Sequence, residues 1–89
     1  MEDFKKCLKF DPQNVDLINT VGVCYQNLGQ HQQAIDYFNQ SIRLDPGKGV
    51  LYNNRAISLN ALGQRDQAKA DWQKASVLGH PVNPAFLNQ

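Results

Sequence analysis

Charge of a single sign is what this sequence has least of. Nine Lys and Arg stand against eight Asp and Glu, a formal net charge of +1, and no block of like charges occurs. Affinity for a phosphate backbone comes largely from clustered Lys and Arg, so a nucleic-acid partner is excluded as the expected one. Cysteine is nearly as scarce. Cys7 and Cys24 are the only two, with no C-x-x-C spacing, which leaves no dense disulfide framework, zinc site or dithiol redox motif. Both are expected to be reduced thiols acting as small hydrophobes. No apolar run reaches transmembrane length, so no membrane partner is expected. The opening stretch from Met1 to Lys6 lacks the apolar centre of a signal peptide, and a cytoplasmic setting is the default expectation.

Catalytic groupings are missing too. His31 and His80 have no second His or Cys at ligand spacing, so they read as solvated side chains and no metal or cofactor is expected. Asp16, Asp36, Asp66 and Asp71 occur singly and read as solubilising charges on outer faces, not as a general acid–base pair. Ser41, Ser58 and Ser76 have no histidine base at a predictable geometry. The Gly47-Lys48-Gly49 turn lacks the rest of a P-loop and reads as a linker. The expectation is that the chain is not an enzyme.

What the sequence does have is amides, ten Gln and nine Asn, and a repeat. The amides are dispersed through helical pattern, which speaks against a low-complexity segment. Shifted by 34 residues, Phe4, Phe38 and Trp72 coincide as large aromatics, and Cys7, Ser41 and Ala75 as small residues. Phe10, Leu44 and Leu78 coincide as apolar residues, and Leu28-Gly29-Gln30 recurs as Leu62-Gly63-Gln64. Residues 15–48 and 49–82 share eight identities. Within a unit, Ile18, Val21, Gly22, Tyr25 and Leu28 form one helical stripe. Ala34, Ile35, Phe38, Ser41 and Ile42 form a second, which stops at Asp45-Pro46 because a residue before Pro disfavours helical geometry. Asn14 is placed to cap the first helix and Gly29 to end it. The period therefore predicts helices near 2–10, 15–28, 31–44, 48–62 and 65–78, with no strands.

These features resemble the tetratricopeptide repeat, whose signature runs W-x2-L-G-x2-Y, A-x3-F, P. The first full unit reads Ile18-x2-Val21-Gly22-x2-Tyr25, Ala34-x3-Phe38, Pro46, and the second Tyr52-x2-Arg55-Ala56-x2-Leu59, Ala68-x3-Trp72. Arg55 departs from the pattern by filling an apolar slot. The resemblance implies an all-α solenoid of helical hairpins, about two and a half repeats long. Residues 1–14 are the second half of one unit, 15–48 and 49–82 full units, and 81–89 a tail with one short helical turn. Gly22 and Ala56 are small where paired helices approach, and Phe38 and Trp72 are knobs between units.

In this family the outer face of each first helix lines a concave groove that contacts a protein or peptide partner. Here that face carries Asn19, Val23 and Gln26, and one period later Asn53, Ile57 and Asn60, with Asn54 beside them. A side-chain amide offers both donors and an acceptor, so it matches either edge of a peptide group. The stripe is therefore expected to bind an extended segment. The family's other mode, a clamp for a C-terminal carboxylate, fits poorly. Asn54 matches one clamp residue, but Asn19 stands where the clamp Lys belongs and Val23 where another Asn belongs. The alternative to a binding module is a structural scaffold. Phe4, Leu8 and Phe10 at one end and Leu78 at the other are apolar, and exposed apolar ends favour homo-oligomer formation through the chain ends.

Overall fold

A computed structural model of the chain describes residues 14–80 and residue 82. These residues form four α-helices and, among themselves, no strand: α1 Val15–Asn27, α2 His31–Leu44, α3 Gly49–Ala61 and α4 Arg65–Val77. Four of the five expected helices are thus present within a residue or so of the limits read from the period. The expected helix over 2–10 and the tail turn lie outside the described residues, as do Phe4, Cys7, Leu8 and Phe10.

Each start and stop has a local cause. The Asn14 side chain accepts a hydrogen bond from the Leu17 backbone N–H at 3.1 Å and satisfies one orphan donor of α1. The stop is a left-handed glycine, Gly29 at φ +78°. Around it the Gln30 N–H returns to the Tyr25 carbonyl and the Gly29 N–H to the Gln26 carbonyl, the paired bonds that close a helix C-terminus. Gly63 at φ +84° repeats the device after α3 with the same two bonds. The loop to α2 or α4 is then only three residues, which forces each pair into an antiparallel hairpin.

The core lies between helices that fit closely. Val21, Tyr25, Ala34 and Phe38 form one buried cluster within the first hairpin. Ile35, Ala56, Leu59, Ala68 and Trp72 form a second, so α2 contributes Ile35 to the next unit and ties the hairpins together. Phe38 and Trp72 have 0% and 1% of their surface exposed, but only Trp72 meets the neighbouring unit, through Ile35. Phe38, expected between units, lies within the first hairpin because its ring fills the space left by Gly22. At Gly22 a Cβ would meet the Phe38 ring at 2.6 Å, so the first hairpin closes only because that position carries none. Val82 packs on the second cluster, which brings the start of the tail onto the last helix pair. α3 packs most extensively on α4, less on α2 and only lightly on α1, and the backbones of α2 and α4 do not approach one another. That arrangement leaves one open seam on each side of the array.

Candidate functional site

The first seam runs between α1 and α3, the helices that carry the amide stripe. It is held by polar bonds. The Asn54 side-chain amide donates to Asn19 Oδ1 at 2.8 Å. The Gln26 amide spends its two hydrogens on the Asn54 backbone carbonyl and on Ser58 Oγ, each at 2.8 Å. Ser58 is fully buried, and its Oγ lies 3.1 Å from His31 Nδ1. Because that oxygen accepts from Gln26, which can only donate through nitrogen, its own hydrogen is free to go to the imidazole. Lys48 pairs with Asp16 at the exposed edge of the same seam.

The sequence-derived stripe therefore divides in two. Asn19, Gln26 and Asn54 are brought together, and they are partly committed to one another across the unit boundary. The pairing of Asn54 with Asn19 still leaves the Asn19 nitrogen as a donor and Asn54 Oδ1 as an acceptor, both on half-buried residues. Asn53 and Asn60, also half-buried, enter no side-chain hydrogen bond within the described residues. Val23 packs against the first core cluster, while Ile57 is 40% exposed and is the apolar residue the face presents most openly.

Three sequence expectations need correction. His31 is not a solvated side chain, since it is half-buried against Ser58. Ser58 does meet a histidine, but with 0% exposure it cannot reach a substrate and serves as a joint between units. Asp71 is not a solubilising charge on an outer face. It is 7% exposed and takes two hydrogen bonds from Arg55, Nε to Oδ2 and Nη2 to Oδ1, each at 2.7 Å. Arg55 Nη1 also donates to Asn39 Oδ1 at 3.0 Å, and the guanidinium carbon lies 5.6 Å from the centre of the Tyr52 ring. Hydrogen bonding to Asp71 holds the arginine above its ordinary value, against the opposing effect of burial. Arg55 can occupy an apolar slot because a fork-shaped cation with a bidentate partner is satisfied there.

No charge falls among Asn19, Val23, Gln26, Asn53, Asn54, Ile57 and Asn60, so what the face offers is hydrogen-bonding amides and an aliphatic surface. Among the described residues no three His, Cys, Asp or Glu side chains gather in a way that could hold a metal. No helix among them is long and apolar enough to cross a membrane.

Comparison with known proteins agrees with this architecture. The tetratricopeptide repeat family model matches residues 16–48. Protein FlbA of Caulobacter vibrioides is 35% identical over 87 residues, which is 98% of this chain and 14% of that protein. A STIP1 homolog of Dictyostelium discoideum is 36% identical over 59 residues, 66% of this chain and 10% of that protein. The chain thus spans a small part of either relative. Among solved structures, the first repeat domain of Spaghetti (RPAP3), bound to the HSP90 peptide SRMEEVD, superposes with a TM-score of 0.86. The identity is 25%, over 96% of this chain and 67% of that one. MamA MSR-1 superposes with a TM-score of 0.80 at 29% identity, over 84% of this chain and 43% of that one.

Proposed function

Because the chain belongs to the tetratricopeptide repeat family, whose members commonly mediate protein–protein contact, we propose that it is a non-catalytic module. It binds an extended, largely uncharged segment of a partner protein along the α1–α3 face. The observation that carries this reading is the unspent hydrogen-bonding capacity of that face. Asn53 and Asn60 are half-buried without side-chain partners among the described residues, and the Asn19–Asn54 pair presents one donor beside one acceptor. A peptide group needs one of each. Ile57 gives the segment an aliphatic contact, worth about 25 cal/mol for each Å² of apolar surface removed from water.

The RPAP3 domain is bound to a peptide rich in acidic residues, yet the ligand of this chain is of another class. The seven residues of the stripe include no cation, and Lys48 at its edge is already paired with Asp16. A carboxylate docking there would lose hydration without gaining a counter-charge. Affinity should therefore change little across about a tenfold range of salt, whereas exposed charge pairs weaken as the Debye length shortens.

The test is capture of partners by the full chain, compared with Asn53→Ala combined with Asn60→Ala. Neither amide stabilises the fold, so helicity should stay constant while binding weakens. Asn19→Ala is a poorer probe, because it also strips Asn54 of its partner. Undiminished binding by the double variant would overturn the groove reading. A second reading, self-association through the ends of the array, draws on Val77, which is 81% exposed in the last turn of α4. Molar mass by light scattering across a concentration series separates the two, since a strict monomer removes the second reading.

A further inference from the structure

The array has a second seam on its other side, and it is open. A cleft of about 510 Å³ lies between α2 and α4, floored by Leu59 and Arg55 of α3. At about 100° per residue, Arg55 stands roughly 140–160° round α3 from Asn53, Ile57 and Asn60. The cleft therefore faces away from the proposed groove and is independent of it. It exists because the backbones of α2 and α4 do not approach one another, while α3 supports both.

The lining is chemically specific. Gln32 and Asn39 form one wall on α2, and Gln64 and Gln67 stand at and within the start of α4 on the other. The charges at the base cancel, since Asp71 takes both arms of the Arg55 fork. Of the five N–H donors of a guanidinium, three are used on Asp71 and Asn39, and two have no acceptor among the described residues. A charged ligand would enter without a counter-ion and lose its hydration. A carboxamide, with its carbonyl to an Arg55 N–H or a wall amide and its N–H to a wall carbonyl, replaces the water it displaces. Gln32 and Asn39 are seven residues apart, about 10 Å along the axis, or about three residues of extended chain at roughly 3.3 Å each.

We propose that this cleft is a second docking site, for a short, uncharged peptide segment bearing side-chain amides. The chain then holds two segments at once, one on each face, and joins them across the α2–α3 spine.

The test uses the whole chain, labelled with nitrogen-15, and N-acetylated, C-amidated Gly-Gln-Gln-Gly as the probe. Saturable shifts are expected in the side-chain amide signals of Gln32, Asn39, Gln64 and Gln67 and in the Arg55 Nε–H. They should be lost in Gln32→Ala combined with Gln67→Ala, two exposed positions whose change leaves the core signals in place. Absence of saturable shifts, or shifts confined to Asn53 and Asn60, overturns the proposal. Tighter binding of the matched Gly-Glu-Glu-Gly or Gly-Lys-Lys-Gly peptide overturns its neutral character. An equal response to maltose shows recognition of hydroxyls in place of peptide, and also overturns it.

Discussion

The Arg55–Asp71 pair occupies two slots that the repeat fills differently one period earlier, where they are Val21 and Tyr37. Replacing Arg55 by Val alone would leave Asp71, with its side chain only 9% exposed, without its two 2.7 Å donors and its counter-charge. Removing one partner of a buried pair costs about 3–5 kcal/mol, because the survivor remains a desolvated charge. The arginine side chain is 25% exposed and the cleft beside it admits water, so the lower end, about 3 kcal/mol, is expected. At about 1 kcal/mol per molar urea, the small-domain end of the range, the midpoint drops by about 3 M. Installing the first unit's residues together, Arg55→Val with Asp71→Tyr, removes both charges and restores apolar packing. Stability should then return to within about 1 kcal/mol of the parent, as when buried pairs are exchanged for hydrophobic residues. The assay is urea denaturation followed by circular dichroism. A single variant that loses less than about 1 kcal/mol, or a double variant no better than the single, would refute the reasoning.

Other perturbations test other joints of the fold by the same assay. Gly22→Ala should destabilise although alanine is the better helix former by about 1 kcal/mol. The added Cβ meets a ring that cannot move aside, and overpacking costs about 1–3 kcal/mol. Greater stability than the parent would contradict the close approach. Phe38→Ala empties the space between the helices of the first hairpin and should cost about 3–5 kcal/mol, with loss of cooperative melting as the visible sign. Gln26→Ala leaves the buried Ser58 oxygen without its donor and should cost about 1–3 kcal/mol, with faster amide exchange where α1 meets α3. Gly63→Ala should cost about 1 kcal/mol, since φ of +84° suits only glycine without strain.

The fold was legible because its information is periodic. A 34-residue spacing of aromatics and small residues, with a glycine stop and an Asp-Pro stop in one unit, placed four helices almost to the residue. The candidate face was legible as a face, since helical angle alone puts Asn19, Val23 and Gln26 on one side of α1. Which amides were already spent was not legible, because that depends on how far α1 and α3 separate, and no local pattern records the distance. The Arg55–Asp71 pair escaped for a different reason. Its partners lie 16 residues apart on different helices, and the earlier unit offers only Val21 and Tyr37 as a guide. Charge itself was the available signal, an arginine in an apolar slot that needed an acid in the facing helix. His31 and Ser58 carried no such mismatch, and the sequence held nothing that would have joined them.

The α1–α3 seam, described above as a row of hydrogen bonds, also sets how the molecule deforms. Apolar packing such as that around Ile35, Ala56 and Leu59 resists separation, because a widening gap loses its contacts before water can fill it. Bonds such as those from Gln26 and Asn54 can lengthen or be bridged by water at little cost. The apolar contact runs along the middle of the array, between the hydrogen-bonded α1–α3 seam and the open α2–α4 cleft. A stiff spine thus separates two compliant margins, and widening the α1–α3 seam should cost less than parting α2 from α3.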